Sequence, residues 1–339
     1  MLLDALQARA FFRCAIENHF AVLAVNADSP AAITDCLEAA RECDAPIIIE
    51  TSLWQLTGRS FGLGDAALGM ARYLAELTVL ATSERYRKVP IIFHIDHIKG
   101  ANTLSLLTGA IRGLRFGESG ALLRPSTISL DSSKLNEEQN IAHITALCTA
   151  ARDADAAVTL EMEAGVDNGV TPLEVGDRLL GAVESRHPGN ICLWAPGVGT
   201  QHGFSDKGYP FSPAAVSAHC ERATQICGHP VGLALHGSSG LPESALREGV
   251  AAGVVKVNWS SESLLIRSQA ARDFYASHTS ELEKSHAAWK STAMDNGVQS
   301  FIAARYVPKV AERIRVLGGA GMASVIFEKI TPPPTSHSS

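Results

Sequence analysis

A chain of 339 residues, 46% hydrophobic and 19% charged, can bury a large core, and only its last few residues are too polar to fold. A formal net charge of −6 with no Lys/Arg stripe excludes an electrostatic footprint for nucleic acid or an anionic membrane, so a small-molecule site is expected. Asp4, Arg9 and Arg13 interrupt the first apolar residues and no apolar run could cross a bilayer, which points to a cytoplasmic protein.

Eight short β-branched or apolar runs follow one another along the chain. They are AVLAVN (21–26), PIIIETS (46–52), VPIIFHIDH (89–97), STISLD (126–131), AVTLEME (157–163), NICLWAPG (190–197), PVGLALHG (230–237) and VVKVNWSS (254–261). Between them lie helical stretches such as SPAAITDCLEAARECD, with Ser29 at the N-cap and Pro30 in the first turn, and PESALREGVAAG, closed by a glycine. This alternation predicts parallel strands with helical crossovers. Eight strand–helix units favour an α/β fold of the (β/α)8 TIM-barrel type over an open doubly wound sheet, and no G-x-G-x-x-G follows the first run. Residues 262–292 and 298–317 predict extra C-terminal helices that cap a barrel end or make a subunit contact. The expectation is one domain over residues 1–330 and a disordered tail over 331–339. The seven cysteines, an odd number without a C-x-x-C pair, read as reduced core thiols.

In a barrel of this kind active sites form at the C-terminal ends of the strands. There the sequence offers Asn26, Thr51 and Ser52, Asp96 and His97, Asp131 with Ser132 and Ser133, Glu161 and Glu163, His202, His236, and Asn258 with Ser260 and Ser261. Any one of these has an ordinary explanation as a hydrogen-bonded loop anchor. Three histidines from three strand ends, however, are a common way to build a catalytic zinc site with one open position. Within FHIDH, strand alternation puts His94 and Asp96 on one face and His97 on the other. His97, nearest the mouth, is the better ligand, with Asp96 aimed into the cavity and His94 packed or supporting. HGSSG (236–240), ahead of a helix, and NWSS after the next strand suit an anion held by backbone N–H groups and hydroxyls. HGSSG alone is equally well read as a flexible turn with a helix cap.

FHIDH, SLDSSKLNEEQN, TLEMEAG, GVGTQHG, LHGSSG before a helix, and GVVKVN together resemble the class II, zinc-dependent ketose-bisphosphate aldolases, over residues 20 to 315. The resemblance implies one catalytic Zn2+ on His97, His202 and His236, with Glu163 near the metal as a second-site or alternative ligand. A further divalent or monovalent cation is compatible with it. It implies Asp96 as the acid that protonates an aldehyde oxygen and Asn258 as a holder of the enediolate. Asn26 and Ser52 then line the substrate cleft, Gly203, Gly237, Ser239 and Ser261 belong to the phosphate site, and Lys207 reaches the phosphate. The implied partner is a phosphorylated sugar, and the implied assembly is a homodimer or homotetramer.

Two departures from the family pattern stand out. EMEAG runs straight into VDNGV, where the family carries a glycine-rich acidic loop with the glutamate that moves the carbon-bound proton. Asp167 and Glu174 are the available substitutes, but neither is in the family position, and the general base is unassigned. At the eighth strand the family's N-x-D-[ST] reads Asn258-Trp259-Ser260-Ser261, and the loop carrying Lys207 is one residue longer. The reading is therefore an aldolase-type lyase working through a zinc-stabilised enediolate. Its alternatives are an isomerase, epimerase or eliminase using the same intermediate, or a non-catalytic aldolase-like subunit.

Overall fold

The computed structural model describes residues 1–98, 103–116, 121–130, 135–167, 169–204 and 210–330. Its strands are β1 (Val22–Asn26), β2 (Ile47–Thr51), β3 (Ile91–Ile98), β4 (Leu114–Phe116), β5 (Ala121–Leu123), β6 (Thr127–Leu130), β7 (Leu160–Ala164), β8 (Ile191–Pro196), β9 (Gly232–Leu235) and β10 (Val254–Trp259). Eight of them close in the order β1-β10-β9-β8-β7-β6-β3-β2, every neighbouring pair parallel. These are the eight runs expected from the sequence, each slightly trimmed or shifted. The β4–β5 hairpin is antiparallel and was not foreseen, because its strands are too short to show a period.

Burial divides the apolar residues into two layers. Outward-facing Ile47, Ile49, Phe93, Leu160, Met162, Val257 and Trp259 pack against the helix ring. Inward-facing Val22, Ala24, Ile48, Ile92, Leu193 and Ala234 join Phe11 and Phe12 of the N-terminal helix Ala5–Glu17. That helix starts at an Asp4–Gln7 capping box and crosses the N-terminal ends of the strands. There Arg9 donates to the Val158 carbonyl and the Thr159 hydroxyl donates to the Ala5 carbonyl. One end of the barrel is thus plugged by aromatic residues, and the polar ends of the strands open at the other.

The extra C-terminal helices are present as Ser261–Ser277, Trp289–Ala293 and Asp295–Val316, followed by Ala323–Ile330. The last of these places Ile326 and Ile330 against the N-terminal helix and so caps the plugged end. The helix Asp295–Val316 packs on Pro30–Glu42 and Ser261–Ser277. Among the described residues no helix is long and apolar enough to cross a membrane. The expected tail 331–339, the strand-end group Asp131, Ser132 and Ser133, and Lys207 lie outside the described residues.

Candidate metal centre and active site

At the open end a cavity of about 540 Å³ is lined by residues from seven strand ends or the loops after them, a size suited to a small metabolite. Asn26, Ser52, Asp96, His97, His202, Gly203, Gly237, Ser239, Asn258 and Ser261 all line it. The sequence therefore names one contiguous wall, with Glu163 buried just beneath it.

His97 reaches this wall by a route that alternation does not predict. Pairing of β3 with β6 slips between Ile95 and Ile98, and His97 takes φ 46°. A left-handed non-glycine residue inside a strand irregularity turns the side chain back from the outer face to the mouth. Asp96 and His97 consequently face the same cavity, where strict alternation would have put them on opposite faces. The His97 N–H donates to Ser129 Oγ at 3.2 Å, which holds the turn. His94 stays inside the barrel, fully buried, with Nδ1 2.7 Å from Thr127 Oγ1.

The three histidines meet. His97 Nε2 lies 3.1 Å from His202 Nε2 and 2.7 Å from His236 Nδ1. On each ring the opposite nitrogen faces a carboxylate: His97 Nδ1 is 3.0 Å from Glu163 Oε2, His202 Nδ1 2.8 Å from Asp167 Oδ1, and His236 Nε2 2.7 Å from Glu161 Oε1. Ionised carboxylates only accept, so each ring donates from that nitrogen, and in the neutral ring the inward nitrogen carries a lone pair. Three such lone pairs converging on one point repel unless a cation, a proton on one ring or a metal ion among all three, lies between them.

The charge balance points the same way. Glu50, Asp96, Glu161 and Glu163 are each at most 2% exposed, and among the described residues the one buried ammonium is Lys256. Its Nζ is 2.9 Å from Glu161 Oε2 and 3.2 Å from Glu50 Oε2. Burial pushes Glu50 well above the usual carboxylate range, and Asp96 adds to the effect. Burial alone would make His97 less basic, but Asp96 and Glu163 reverse this and hold it up at about 10. A field that attracts positive charge, three convergent imidazoles and a carboxylate behind each ring fit a divalent metal such as zinc.

Beside the triad, Asp96 accepts from Asn258 Nδ2 at 3.1 Å and from Asn26 Nδ2 at 3.4 Å. Asn258 is itself held through Oδ1 by Lys256 Nζ at 2.7 Å. Across the cavity, Gly237 takes φ 66°, and a Cβ there would come within 2.4 Å of the Gln201 carbonyl, so only glycine fits this turn. The turn brings Ser238 and Ser239 to the wall, where Ser239 Oγ accepts from the Glu262 N–H at 3.2 Å. Ser260 and Ser261 open the helix Ser261–Ser277, whose N-terminus faces the cavity. Trp259, the large residue in the altered eighth-strand motif, points away from the site: it stacks on Tyr306 at 6.0 Å and donates to Glu262 Oε2 at 2.9 Å.

A model of the family described as "Fructose-bisphosphate aldolase class-II" matches residues 6–321. The chain belongs to the class II fructose-bisphosphate aldolase family. A fructose-bisphosphate aldolase of Streptococcus pyogenes is 26% identical over 330 residues, covering 93% of this chain and 98% of that protein. One from Candida albicans is 28% identical over 275 residues, covering 74% of this chain and 75% of its own. The crystal structure of the Campylobacter jejuni fructose-bisphosphate aldolase superposes with a TM-score of 0.79 at 19% identity, covering 94% of this chain and 96% of that one, a likeness of fold.

Against the family pattern, the two substitutes considered for the missing proton-transfer glutamate separate. Glu174 is exposed in the first turn of Leu173–Glu184 and does not line the cavity. Asp167 lines it, but its carboxylate is engaged by the N–H and Nδ1 of His202, contacts that hold it well below the usual carboxylate range. Sequence reasoning missed Trp54, Gln55 and Leu264 of the cavity wall, and Glu50 and Lys256 beneath it. A charge two positions before each named strand-end residue, Glu50 before Ser52 and Lys256 before Asn258, was the available signal.

Proposed function

We propose that this chain is a zinc-dependent aldolase that makes or cleaves a carbon–carbon bond in a phosphorylated ketose. The observation that carries this is the convergence of His97 Nε2, His202 Nε2 and His236 Nδ1, each ring fixed from behind by a carboxylate. A zinc ion held by these three rings supplies Lewis-acid stabilisation of negative charge on substrate oxygens. The rest falls to the chain's own groups. Asp96, with both oxygens accepting from amides, takes the proton of the substrate hydroxyl during cleavage and returns it to the aldehyde oxygen during condensation. Asn258 Nδ2, within 3.5 Å of His236 Nδ1, offers a donor to an oxygen that gains charge. Ser239, Ser261 and the adjoining helix N-terminus bind the phosphate and orient the reacting carbons.

The test is product analysis against a panel of ketose phosphates, using the zinc-loaded protein, the EDTA-stripped protein and His236→Ala. Release of a triose phosphate only from the loaded wild type supports the reading. Aldol activity undiminished after complete metal removal overturns it.

A second reading turns on the acids of the wall: Asp96 and Asp167 are the only acids among the described cavity-lining residues. Isomerisation or epimerisation through the same chemistry must move a carbon-bound proton, and it competes with cleavage if Asp167, hydrogen-bonded to His202, accepts that proton. Solvent deuterium entering the ketose phosphate without cleavage would select it.

A further inference from the structure

At the plugged end of the barrel, away from the catalytic mouth, Glu184, Cys227 and His229 bring one ligand atom each to within 4.8 Å of one another. Glu184 ends the helix Leu173–Glu184, Cys227 ends the neighbouring helix Pro213–Cys227, and His229 follows the left-handed Gly228 that closes the second helix. Glu184 is 9% exposed and Cys227 8%.

Three features set this cluster apart from an ordinary buried ion pair. His229 Nδ1 is 3.3 Å from the Pro230 carbonyl, which can only accept, so in the neutral ring Nε2 carries the lone pair. That Nε2 is buried and makes no hydrogen bond, although Glu184 Oε1 lies 3.3 Å away. The carboxylate sits beside the ring nitrogen without sharing a proton with it. Two ligands bound to one zinc at about 2.0–2.1 Å in tetrahedral geometry are themselves roughly 3.3 Å apart. The remaining oxygen, Glu184 Oε2, is buried with no hydrogen-bond partner, while the Gly189 N–H fixes Oε1 at 2.6 Å. Both helices also direct the negative ends of their dipoles here, which favours a cation.

We propose that Glu184, Cys227 and His229 form a structural site for a zinc-like divalent ion that ties together the C-terminal ends of two adjacent barrel helices. Imidazole, thiolate and carboxylate from three positions select zinc over magnesium or calcium, which take oxygen ligands. The two negative ligands neutralise the ion, so it rests in a buried setting without surplus charge. Burial pushes the Cys227 thiol up to about 12, so binding displaces its proton and weakens as pH falls.

Cobalt distinguishes this site from the catalytic one, because a thiolate bound to Co2+ gives a near-ultraviolet charge-transfer band and imidazoles do not. The metal-stripped full-length protein is titrated with Co2+, and bound metal is counted after dialysis. The expected result is two equivalents per chain and the thiolate band in wild type. His236→Ala should keep the band and one equivalent. Cys227→Ser and His229→Gln should lose the band and one equivalent while keeping aldolase activity. The second variant leaves the thiol in place, so a folding defect peculiar to the serine is not mistaken for loss of a ligand. Absence of the band in wild type, or its persistence in Cys227→Ser, overturns the site and leaves a plain Glu184–His229 ion pair.

Discussion

Glu161 Oε1 lies 2.7 Å from His236 Nε2, and the other oxygen of the same carboxylate lies 2.9 Å from Lys256 Nζ. The carboxylate fixes which nitrogen of His236 turns to the cavity. Glu161→Gln offers a neutral oxygen in its place, and loss of such a partner typically costs 10- to 100-fold in metal affinity. We expect zinc affinity of this variant to fall by about that factor, measured by competition with a chelating dye. Activity should return in part at saturating zinc. Unchanged affinity would mean that the carboxylate does not orient the ring.

Asp167 presents the same relationship at an exposed position, since His202 and Asp167 are 42% and 48% exposed at the side chain. Water can replace a lost carboxylate there. Asp167→Asn is therefore expected to weaken zinc binding less than Glu161→Gln, by about tenfold. If Asp167 also moves the carbon-bound proton, its loss slows solvent-proton exchange beyond the loss of bound metal. Measuring exchange at saturating zinc separates the two roles.

Trp54 stands at the cavity rim, 84% exposed, on the short helix Leu53–Thr57 that Ser52 and Gln55 cap reciprocally. An exposed indole beside a polar cavity contributes to holding a ligand and little to the fold. Trp54→Ala should raise KM by about tenfold with kcat nearly unchanged and Tm unmoved, by steady-state kinetics and thermal melts. A fall in Tm would assign the indole to packing instead.

Acid stability depends on a cluster far from the site. Burial alone would raise Glu38, but hydrogen bonds from Arg85, Tyr86 and Arg41 override it and hold the carboxyl down at about 2 from an ordinary 4.5. A depressed folded-state value contributes stability above the unfolded pKa, and that contribution is lost as pH falls through the folded one. The window is thus from about pH 4.5 down to about 2. Arg85 is 61% exposed, so solvent screening limits the contribution to about 1 kcal/mol. Glu38→Gln should be less stable than wild type at pH 7 by that amount and converge with it near pH 2, in urea melts across the range.

Most of this architecture is legible from the sequence because its signals are local or strictly periodic. Eight apolar runs spaced by helical stretches specify the barrel, and strand ends carrying His97, His202, His236 and Asn258 specify the mouth. What is not legible depends on three-dimensional accidents of register. The slip between Ile95 and Ile98 that turns His97 to the cavity leaves no mark in FHIDH, so alternation assigns the wrong face. Trp259 beside Asn258 looks like an intrusion into the site until pairing with Tyr306 shows it in the helix layer. Helix Ala323–Ile330 was missed because its apolar face has meaning only against the N-terminal helix. Lys256 was passed over because a lone charge in GVVKVN matters only once Glu50 and Glu161 stand opposite it.

Lys256 gives the strongest prediction for the fold and the site together. Its ammonium is fully buried, bridges Glu50 and Glu161, and donates to Asn258. Burial alone would lower its pKa, but Glu161, Glu50 and Asp96 reverse this, so the group stays charged. Replacing one member of a buried ionic cluster leaves the others uncompensated, at a typical cost of about 3–5 kcal/mol. Lys256→Met, close in shape and neutral, should lose that much stability in urea at pH 7. Part of the loss should return at lower pH, where Glu50, already raised by its surroundings, takes up a proton more readily. The double variant Lys256→Met with Glu50→Gln removes one charge of each sign and should recover stability without recovering activity, because Asn258 has still lost the donor that orients its amide toward Asp96. If the single variant is as stable as wild type, zinc and not lysine balances the buried carboxylates, and stripping the metal should then unfold it.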